Sequence, residues 1–344
     1  MNPLKTLLDE GQSLWLDYIR ASLLESGELQ RMISEDGLRG MTSNPTIFQK
    51  AITQGDNYDG RLRKLLQDNP NAGEAELFEK LAVQDIGRAC DILRPVYDDS
   101  NGADGFVSIE VSPLLARDTE GTVQEARRLW REVDHPNVMI KVPATPEGIP
   151  AIETLIGEDI HVNVTLMFSL KHYEAVAHAY LRGLEKASRP AQAASVASFF
   201  VSRVDTKIDE MLDSVGTEEA ASLKGRVAVA NAKIAYRRFQ QLFHGEAFKK
   251  FREEGVHVQR PLWASTSTKN PAYSDVLYVE ELIGPDTVNT MPPETIDAFR
   301  DHGKVSRTVT EGVDEAKAVL DKLARLGIDL DKATEALQEE GVDK

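Results

Sequence analysis

Short segments rich in Val, Ile and Phe alternate along the chain with longer segments whose apolar residues recur at helical spacing. This alternation is typical of a parallel β-sheet assembled from βα units. The pattern predicts strands at 14–19, 39–43, 105–111, 137–142, 161–167, 195–201, 260–265 and 286–291.

Helices are predicted between these strands. Over 121–132, apolar residues recur every three or four positions and fall on one helical face. The segment 217–254 begins with Thr217, a residue type that caps helix N-termini, followed by two acidic residues that favour a first helical turn.

Eight predicted strands, with no Pro/Gly/Ser-rich linker between halves, favour an α/β fold of the (β/α)8 TIM barrel type. We expect a single domain over 1–344, with a helical insertion at about 51–104 and a charged helical appendage at about 311–344. The insertion contains predicted helices at 59–68 and 74–95. The alternative is a doubly wound sheet, which would usually carry a Gly-rich phosphate turn after its first strand. No such turn is present there.

The composition is that of a globular protein and narrows the classes of partner. Of 344 residues, 41% are hydrophobic and 28% charged, which is enough for a large core. The 40 Lys+Arg and 56 Asp+Glu give a net charge of −16, which argues against nucleic acid or an anionic membrane as a partner. We find no long apolar run and no apolar signal core in the first residues, so we expect no membrane segment.

The cysteine and histidine content argues against a metal site. Cys90 is the single cysteine, which excludes an intramolecular disulfide and suits a reducing, cytoplasmic compartment. Its apolar helical neighbours predict an inert core thiol. The seven histidines show no spacing suited to metal ligands.

Lys141 is the most informative polar residue, because it interrupts the run 138–143, which otherwise predicts a fully buried strand. Burial lowers the pKa of a lysine, and a lysine with a lowered pKa is a nucleophile that forms a Schiff base with a carbonyl. An equally weighted interpretation is a strand-end lysine whose long stem reaches solvent.

Asp17 and Glu110 are lone carboxylates in apolar strand segments. A buried carboxylate needs a cation or hydrogen-bond donors, so each is expected to face a partner inside the barrel. In a TIM barrel the catalytic groups lie at the carboxyl ends of the strands, where these residues would join Lys141 as an acid/base set. Outward-pointing side chains at a strand edge are the alternative for each residue alone.

Small polar residues close other predicted strands. They occupy 42–46 after the second strand and recur as Asn163, Thr165 and Ser198 in the fifth and sixth. Hydroxyl and amide groups suit a polyol ligand. Turn and helix-cap chemistry is the alternative, and for 43–45 it is by itself a strong explanation.

Two cations follow the late strands, Arg203 after the sixth and Lys269 after the seventh. Loops in this part of a TIM barrel often bind phosphate, so the two residues predict a phosphate clamp. A solvated surface position is the alternative, particularly for Lys269.

Three segments together resemble the transaldolase family. Residues 41–48 read MTSNPTIF, residues 138–145 read VMIKVPAT, and residues 163–169 read NVTLMFS. The resemblance extends from about Asp17 to Pro292. It implies a class I aldolase-type barrel of the pentose phosphate pathway that acts on sugar phosphates, needs no metal or organic cofactor, and is either a monomer or a homodimer.

The resemblance implies a role for each catalytic candidate. Lys141 matches the family's Schiff-base lysine, and Asp17 matches its acid/base aspartate. Glu110 and Thr165 match the pair that orders a water for proton transfer during imine formation.

It also implies the substrate-binding residues. Asn44 and Asn163 resemble the amides that bind the hydroxyls of the dihydroxyacetone unit, and Ser198 and Phe200 line the same pocket. Arg203 resembles the first phosphate-binding arginine.

The sequence departs from the family pattern at the second phosphate position. Residues 267–270 read STKN, so Lys269 stands where better-known members have arginine. Lysine is a point charge without the bidentate fork of arginine, which predicts a looser grip on phosphate. Since the substrates are phosphate esters, we expect a locally cationic pocket, formed by Lys141, Arg203 and Lys269, within an acidic protein.

Two other functions remain as alternatives. One is a fructose-6-phosphate aldolase-type lyase, although these relatives are shorter and characteristically carry tyrosine at the position of Glu110. The other is a non-catalytic barrel that binds sugar phosphates, which would not need Lys141, Asp17 and Glu110 together.

Overall fold

The computed structural model describes residues 2–54 and 58–343. In this part of the chain the strands are β1 Gln12–Asp17, β2 Leu38–Thr42, β3 Val107–Glu110, β4 Val138–Pro143, β5 Val162–Met167, β6 Ser195–Phe200, β7 Arg260–Ala264 and β8 Thr287–Met291. They are parallel, pair in chain order, and close into a barrel because β1 pairs with both β2 and β8. The predicted (β/α)8 barrel is confirmed, and a doubly wound sheet is excluded because that sheet has open edges.

Helices connect the strands and cover the outside of the barrel. They are α1 Pro3–Asp9, α2 Ala21–Glu25, α3 Glu28–Arg31, α4 Pro45–Gln54, α5 Asp59–Asp68, α6 Glu74–Asp99, α7 Thr119–Val133, α8 Gly148–Gly157, α9 Leu170–Leu184, α10 Ser202–Val215, α11 Glu218–Ala221, α12 Val227–Phe243, α13 Lys249–Glu253, α14 Leu277–Glu280, α15 Pro293–His302, α16 Val313–Arg325 and α17 Leu330–Val342. A π-helical turn, Met32–Asp36, follows α3. Among the described residues, no helix combines the length and the apolar character needed to cross a membrane.

The predicted strands agree with the observed ones to within two residues at each end. Helix α5 has the predicted bounds, whereas α6 continues through Pro95 to Asp99. Thr217 caps α11 as predicted, since its hydroxyl accepts a hydrogen bond from the Ala220 amide at 3.2 Å.

The prediction of one helical segment over 217–254 is wrong. That segment is divided into α11, α12 and α13. Gly225 adopts a left-handed φ of +71° before α12, and α12 itself ends at Phe243, two residues before Gly245. A left-handed residue cannot continue a right-handed helix, so the chain turns at Gly225.

Helix α1 was not predicted, although its start carries two recognised signals. Asn2 accepts a hydrogen bond from the Leu4 amide at 3.0 Å, and Pro3 occupies the first helical position. Seven residues are too few to show a helical period, which explains why the pattern of apolar positions missed it.

The core has two layers because successive strand residues point to opposite faces. Ile140 and Val142 of β4 belong to the layer between barrel and helices. The barrel interior is a separate apolar cluster that includes Trp15, Met139 and Leu262. Gly40 makes room for Trp15, since a Cβ at this position would lie 2.5 Å from the indole ring.

An ion pair closes the amino end of the barrel. Arg260, the first residue of β7, donates hydrogen bonds to the Ser13 hydroxyl and the Ala103 carbonyl, each at 2.8 Å. Its guanidinium also pairs with Asp104 at 3.4 Å, and the Trp15 indole N–H donates to the same carboxylate at 2.8 Å. Every charged group in this cluster therefore has several partners.

Helices α4, α5 and α6 form most of the predicted insertion over 51–104. Tyr58 and Arg61 bind the buried Asp85 carboxylate at 2.7 Å and 2.5 Å, and the Ala21 amide donates to the Tyr58 hydroxyl at 3.0 Å. These bonds fix the insertion to the segment after β1. Residues 55–57 of the insertion, and residue 344 of the predicted appendage, lie outside the described residues.

Helix α17, in the predicted appendage, returns to the carboxyl end of the barrel. The Gln338 side-chain amide donates to the carbonyl oxygens of Ala144 at 3.0 Å and Leu166 at 2.9 Å, just beyond β4 and near the end of β5. Leu166 has a left-handed φ of +59°, and α17 packs directly on this bend. The C-terminal helix therefore supports the rim from which a site would open.

Candidate active site

A cavity of about 550 Å³ lies at the carboxyl ends of the strands. This is the end where the loops of a TIM barrel build active sites. The predicted site residues that line it are Asp17, Asn44, Glu110, Lys141, Thr165, Ser198, Phe200, Arg203 and Lys269. The strands of one barrel thus bring together groups that are up to about 250 positions apart in the chain.

Lys141 is one of the residues that line the cavity. It is the fourth residue of β4 and is 7% exposed, and its register partner on β3 is Glu110. The ammonium Nζ lies 3.3 Å from Glu110 Oε2 and donates to the Ser43 carbonyl at 3.2 Å. The amine is held by two oxygens while remaining at the cavity surface, which suits attack on a bound carbonyl.

Asp17, the last residue of β1, lines the same cavity as Lys141. The Thr42 hydroxyl donates to Asp17 Oδ1 at 2.7 Å and is itself 2.6 Å from the Thr290 hydroxyl. Burial raises the pKa of Asp17 above its ordinary value, against the opposing effects of the Lys141 charge, the Thr42 hydrogen bond and the Arg203 charge. A carboxyl with a raised pKa is suited to exchange protons with substrate.

Thr165 is 1% exposed and stands beside Pro143 in the β4–β5 register, two residues beyond Lys141. Its strand neighbour Asn163 lies one layer deeper. Asn163 is fully buried, accepts a hydrogen bond from the Ser198 hydroxyl at 2.7 Å and donates to the Ser108 hydroxyl at 3.0 Å. The structure therefore brings Ser198 to the cavity and places Asn163 beneath it, outside the cavity wall.

For Asn44 the sequence left two interpretations open, a helix cap and a ligand-binding amide, and the position of the residue is compatible with both. Its side-chain oxygen accepts a hydrogen bond from the Ile47 amide at 2.9 Å, which caps the start of α4. The residue also lines the cavity. Capping uses the oxygen and leaves the amide N–H groups to face a ligand.

The anion-binding candidates lie on one side of the cavity. The Arg203 guanidinium lies over the Phe200 ring, 5.0 Å from its centroid. Burial lowers the pKa of Arg203, and the charges of Asp17 and Glu110 oppose that effect. Lys269 is exposed at the rim, where its Nζ donates to the Ser267 hydroxyl at 2.7 Å.

Several cavity residues were not predicted. They include Lys50, Gly341, Thr290 and Glu294. Thr290 follows the two-residue alternation of β8, which would have identified it as facing the barrel axis. Lys50 and Gly341 gave no signal, because only the packing of α4 and α17 on the barrel brings them to the cavity.

The charges around the cavity differ from those of the whole chain. Among the described lining residues, four are cations and three are acids: Lys50, Lys141, Arg203 and Lys269 against Asp17, Glu110 and Glu294. The lining therefore carries a formal charge of +1, in a chain of net charge −16. The described residues contain no group of three or more His, Cys, Asp and Glu side chains that could hold a metal ion.

Comparison with known proteins identifies the family of the chain. The family model for transaldolase/fructose-6-phosphate aldolase matches residues 14–344. A transaldolase of Thermobifida fusca is 49% identical, with 100% of this chain and 94% of the relative covered. A transaldolase of Thiobacillus denitrificans is 49% identical (99% and 96% covered), and one of Mycobacterium tuberculosis is 47% identical (100% and 93% covered).

The chain belongs to the transaldolase/fructose-6-phosphate aldolase family of TIM-barrel enzymes. Its similarity to curated transaldolases extends over 94% and 96% of the length of the first two relatives named above. Its function is that of a transaldolase, a transferase of the pentose phosphate pathway whose substrates are sugar phosphates.

Proposed function

We propose that the enzyme transfers a dihydroxyacetone unit from sedoheptulose 7-phosphate or fructose 6-phosphate to an aldose phosphate through a Schiff base on Lys141. The observation that carries this proposal is the position of the Lys141 amine, buried in β4, 3.3 Å from Glu110, and at the wall of a cavity lined by hydroxyl, amide and cationic groups. An amine in such a site is the nucleophile that carbonyl substrates require.

The first half of the reaction forms and cleaves the donor adduct. Uncharged Lys141 adds through Nζ to the ketone carbon, and loss of water gives an iminium ion. Glu110 and Thr165 hold the water that carries protons during this step. The Asp17 carboxylate then takes the proton of the C4 hydroxyl, the C3–C4 bond breaks, and its electron pair neutralises the iminium to give an enamine as the aldose phosphate leaves.

The second half reverses these steps with a different aldose phosphate. The enamine carbon attacks the acceptor aldehyde, and the protonated Asp17 returns its proton to the new hydroxyl. Water then hydrolyses the iminium and frees Lys141 together with the new ketose phosphate.

Binding of the three-carbon unit is assigned to Asn44, Ser198 and Phe200. Asn163 supports this group from beneath, because its side-chain oxygen accepts the Ser198 hydroxyl hydrogen bond at 2.7 Å. A polyol loses its hydration shell on entry, so hydroxyl and amide partners at fixed positions offset the cost of burying it.

The phosphate group is assigned to Arg203 and Lys269. Arg203 is held by its contact with Phe200 and supplies a planar fork, whereas Lys269 supplies a point charge at the rim. We expect Arg203 to set the orientation of the phosphate and Lys269 to contribute mainly attraction.

Borohydride trapping tests the proposal directly. Wild-type enzyme incubated with fructose 6-phosphate and sodium borohydride should lose activity, and peptide mass analysis should find a reduced three- or six-carbon adduct on Lys141. Lys171→Met, which removes a surface lysine paired with Glu335 at 2.7 Å, should label as wild type does. Labelling at another lysine, or none in active enzyme, contradicts the assignment.

A lyase that releases free dihydroxyacetone is distinguished by omitting the acceptor. With fructose 6-phosphate alone, the transferase should produce one equivalent of glyceraldehyde 3-phosphate per active site and then stop. The reaction stops because the enamine stays bound and shielded from water. Continued turnover without acceptor would identify the lyase.

We also place the enzyme in the cytoplasm, where the buried Cys90 thiol stays reduced, and propose neither nucleic acid nor membrane as a partner. Light scattering of the purified protein distinguishes a monomer from a homodimer.

A further inference from the structure

We propose that Tyr273 is a positioning residue for phosphate recognition, because its hydrogen bond to Asp209 fixes the loop of Ser267 and Lys269 to the helix of Arg203. This inference rests on the proposed function, in which Arg203 and Lys269 bind the substrate phosphate. We call residues 265–276, between β7 and α14, the phosphate loop.

The phosphate loop reaches the cavity at three positions, Ser265, Ser267 and Lys269. Ser265 has a left-handed φ of +56°, which directs the loop away from β7. Further along, the Thr268 hydroxyl donates to the Ser274 carbonyl at 2.8 Å, and the Tyr273 amide donates to the Asn270 carbonyl at 3.1 Å. The second half of the loop is therefore a compact turn that moves together with Lys269.

Tyr273 connects this turn to α10. Its hydroxyl donates to Asp209 Oδ2 at 2.6 Å, and Asp209 is 7% exposed on the helix whose second residue is Arg203. The other carboxylate oxygen, Oδ1, accepts a hydrogen bond from the Gly225 amide at 3.1 Å. One carboxylate thus joins α10, the phosphate loop and the turn before α12.

The ring of Tyr273 is fixed as well as its hydroxyl. A Cβ at Gly225 would lie 2.8 Å from the nearest ring carbon, so the glycine backbone packs directly against the ring. Contact on the ring face and a short hydrogen bond at the hydroxyl leave the side chain little freedom. The turn carrying Lys269 is held in one place relative to Arg203.

The chain provides a matched control in Tyr278. Its hydroxyl donates to Asp205 at 3.0 Å, and Asp205 lies one turn before Asp209 on the same helix. Tyr278 belongs to α14, beyond the phosphate loop. Both tyrosines make the same kind of bond to α10, but Tyr273 alone of the two lies in the loop that carries Lys269.

The physical consequence is a separation of phosphate binding from covalent chemistry. A phosphate bound between Arg203 and Lys269 needs both cations at a fixed distance. Loss of the Tyr273 hydrogen bond lets the loop sample other positions, so binding must pay the cost of ordering it. Lys141, Asp17 and Glu110 lie on strands that this change does not move.

The test compares Tyr273→Phe with Tyr278→Phe in the full-length enzyme. Tyr273→Phe should raise the KM for fructose 6-phosphate and the inhibition constant of inorganic phosphate by roughly 5- to 20-fold, with kcat within about twofold of wild type. The KM for unphosphorylated fructose should not change. Tyr278→Phe should lower the thermal midpoint about as much as Tyr273→Phe does. It should leave the KM for fructose 6-phosphate, the KM for fructose and the inhibition constant of phosphate unchanged.

Two outcomes overturn the proposal: an unchanged phosphate inhibition constant in Tyr273→Phe, or an equal rise in Tyr278→Phe. If Tyr273→Phe does not fold, Gly225→Ala serves instead: its methyl group would lie 2.8 Å from the ring carbon that carries the hydroxyl, so it displaces ring and hydroxyl from Asp209 without removing either polar group, and the phosphate constant should rise again. Calorimetric titration with inorganic phosphate reports binding without imine chemistry. Failure of the Lys141 Schiff base would therefore be seen separately, as absent borohydride labelling in wild type.

Discussion

The barrel holds two ion pairs of nearly equal length and burial at its opposite ends. At the amino end Arg260 and Asp104 lie 3.4 Å apart, with side chains 15% and 10% exposed. At the carboxyl end Lys141 and Glu110 lie 3.3 Å apart, with side chains 8% and 17% exposed. Length and burial therefore do not separate a structural pair from a catalytic one.

The two pairs differ in the cation and in what surrounds it. Arg260 is permanently charged and also binds Ser13 and Ala103 at 2.8 Å, so its donors are used within the protein. Lys141 has a single further acceptor in the Ser43 carbonyl, opens onto the cavity, and belongs to the residue type that can lose its proton. A buried pair becomes reactive when its cation is a lysine that substrate can reach.

The largest effect is expected for Lys141→Met. We expect kcat to fall by more than about 10³-fold, because the nucleophile that would hold the three-carbon unit is lost. The free energy of unfolding should change by less than about 1 kcal/mol, because Glu110 remains at the cavity, where water hydrates it. The coupled assay with sedoheptulose 7-phosphate and glyceraldehyde 3-phosphate, with urea unfolding, checks both. A variant that keeps its kcat would contradict the comparison.

The corresponding change at the amino end is Arg260→Met, with the opposite expectation. It leaves Asp104 buried without its cation, which should lower the free energy of unfolding by about 3–5 kcal/mol. The kcat of the folded enzyme should stay within about twofold of wild type. Adding Asp104→Asn should recover part of the stability, since the unpaired charge is then removed. Unchanged stability in Arg260→Met would show that the ion pair at the amino end contributes nothing to the free energy of unfolding.

Asp205 provides a third case, a buried carboxyl at whose oxygens no cation lies among the residues that the structure describes. It faces Asp209, Tyr278 and the Ala228 amide, and burial raises its pKa to about 7. The folded state therefore binds a proton that the unfolded state releases near pH 4, so stability is highest at acid pH and falls as pH rises through about 7, by up to about 4 kcal/mol. Asp205→Asn should remove most of this dependence. Urea midpoints at pH 5 and pH 8 measure the pH dependence of stability. An equal change in midpoint between the two pH values in wild type and Asp205→Asn would reject the role of Asp205.

The smallest effect is expected for Thr42→Val. The Thr42 hydroxyl stabilises the Asp17 carboxylate, so its removal should raise the pKa of Asp17 further. Since Asp17 must be ionised to accept the substrate proton, the acid limb of the kcat profile should move to higher pH, by about 0.5–1 unit. Thr290→Val, which removes a bond to Thr42 rather than to Asp17, should move it less. A shift to lower pH in Thr42→Val would contradict the role of Asp17.

The candidate site residues that the sequence singled out most clearly are polar residues in otherwise apolar strands. Lys141, Asp17 and Glu110 are charged residues in apolar strands, and the register of neighbouring strands brings Lys141 and Glu110 side by side. Asn163 is another polar residue of this kind, but its charge-free side chain is satisfied within the barrel interior by Ser108 and Ser198. A sequence pattern shows that a polar group must find a partner, and the fold decides whether that partner is protein or substrate.

The sequence by itself determined the positions of the eight strands, favoured a barrel and singled out the lysine that interrupts the fourth strand, because the pattern of apolar and polar residues along a strand is a local property. The tertiary structure alone decided the return of α17 to the rim, the bond between Thr42 and Asp17, and the joining of Tyr273 to Asp209. These contacts link positions 25 to about 190 residues apart. The contacts of α17 and of Tyr273 depend on how a helix and a loop pack against a completed barrel, and the bond between Thr42 and Asp17 depends on the register of β1 and β2. No local period records either.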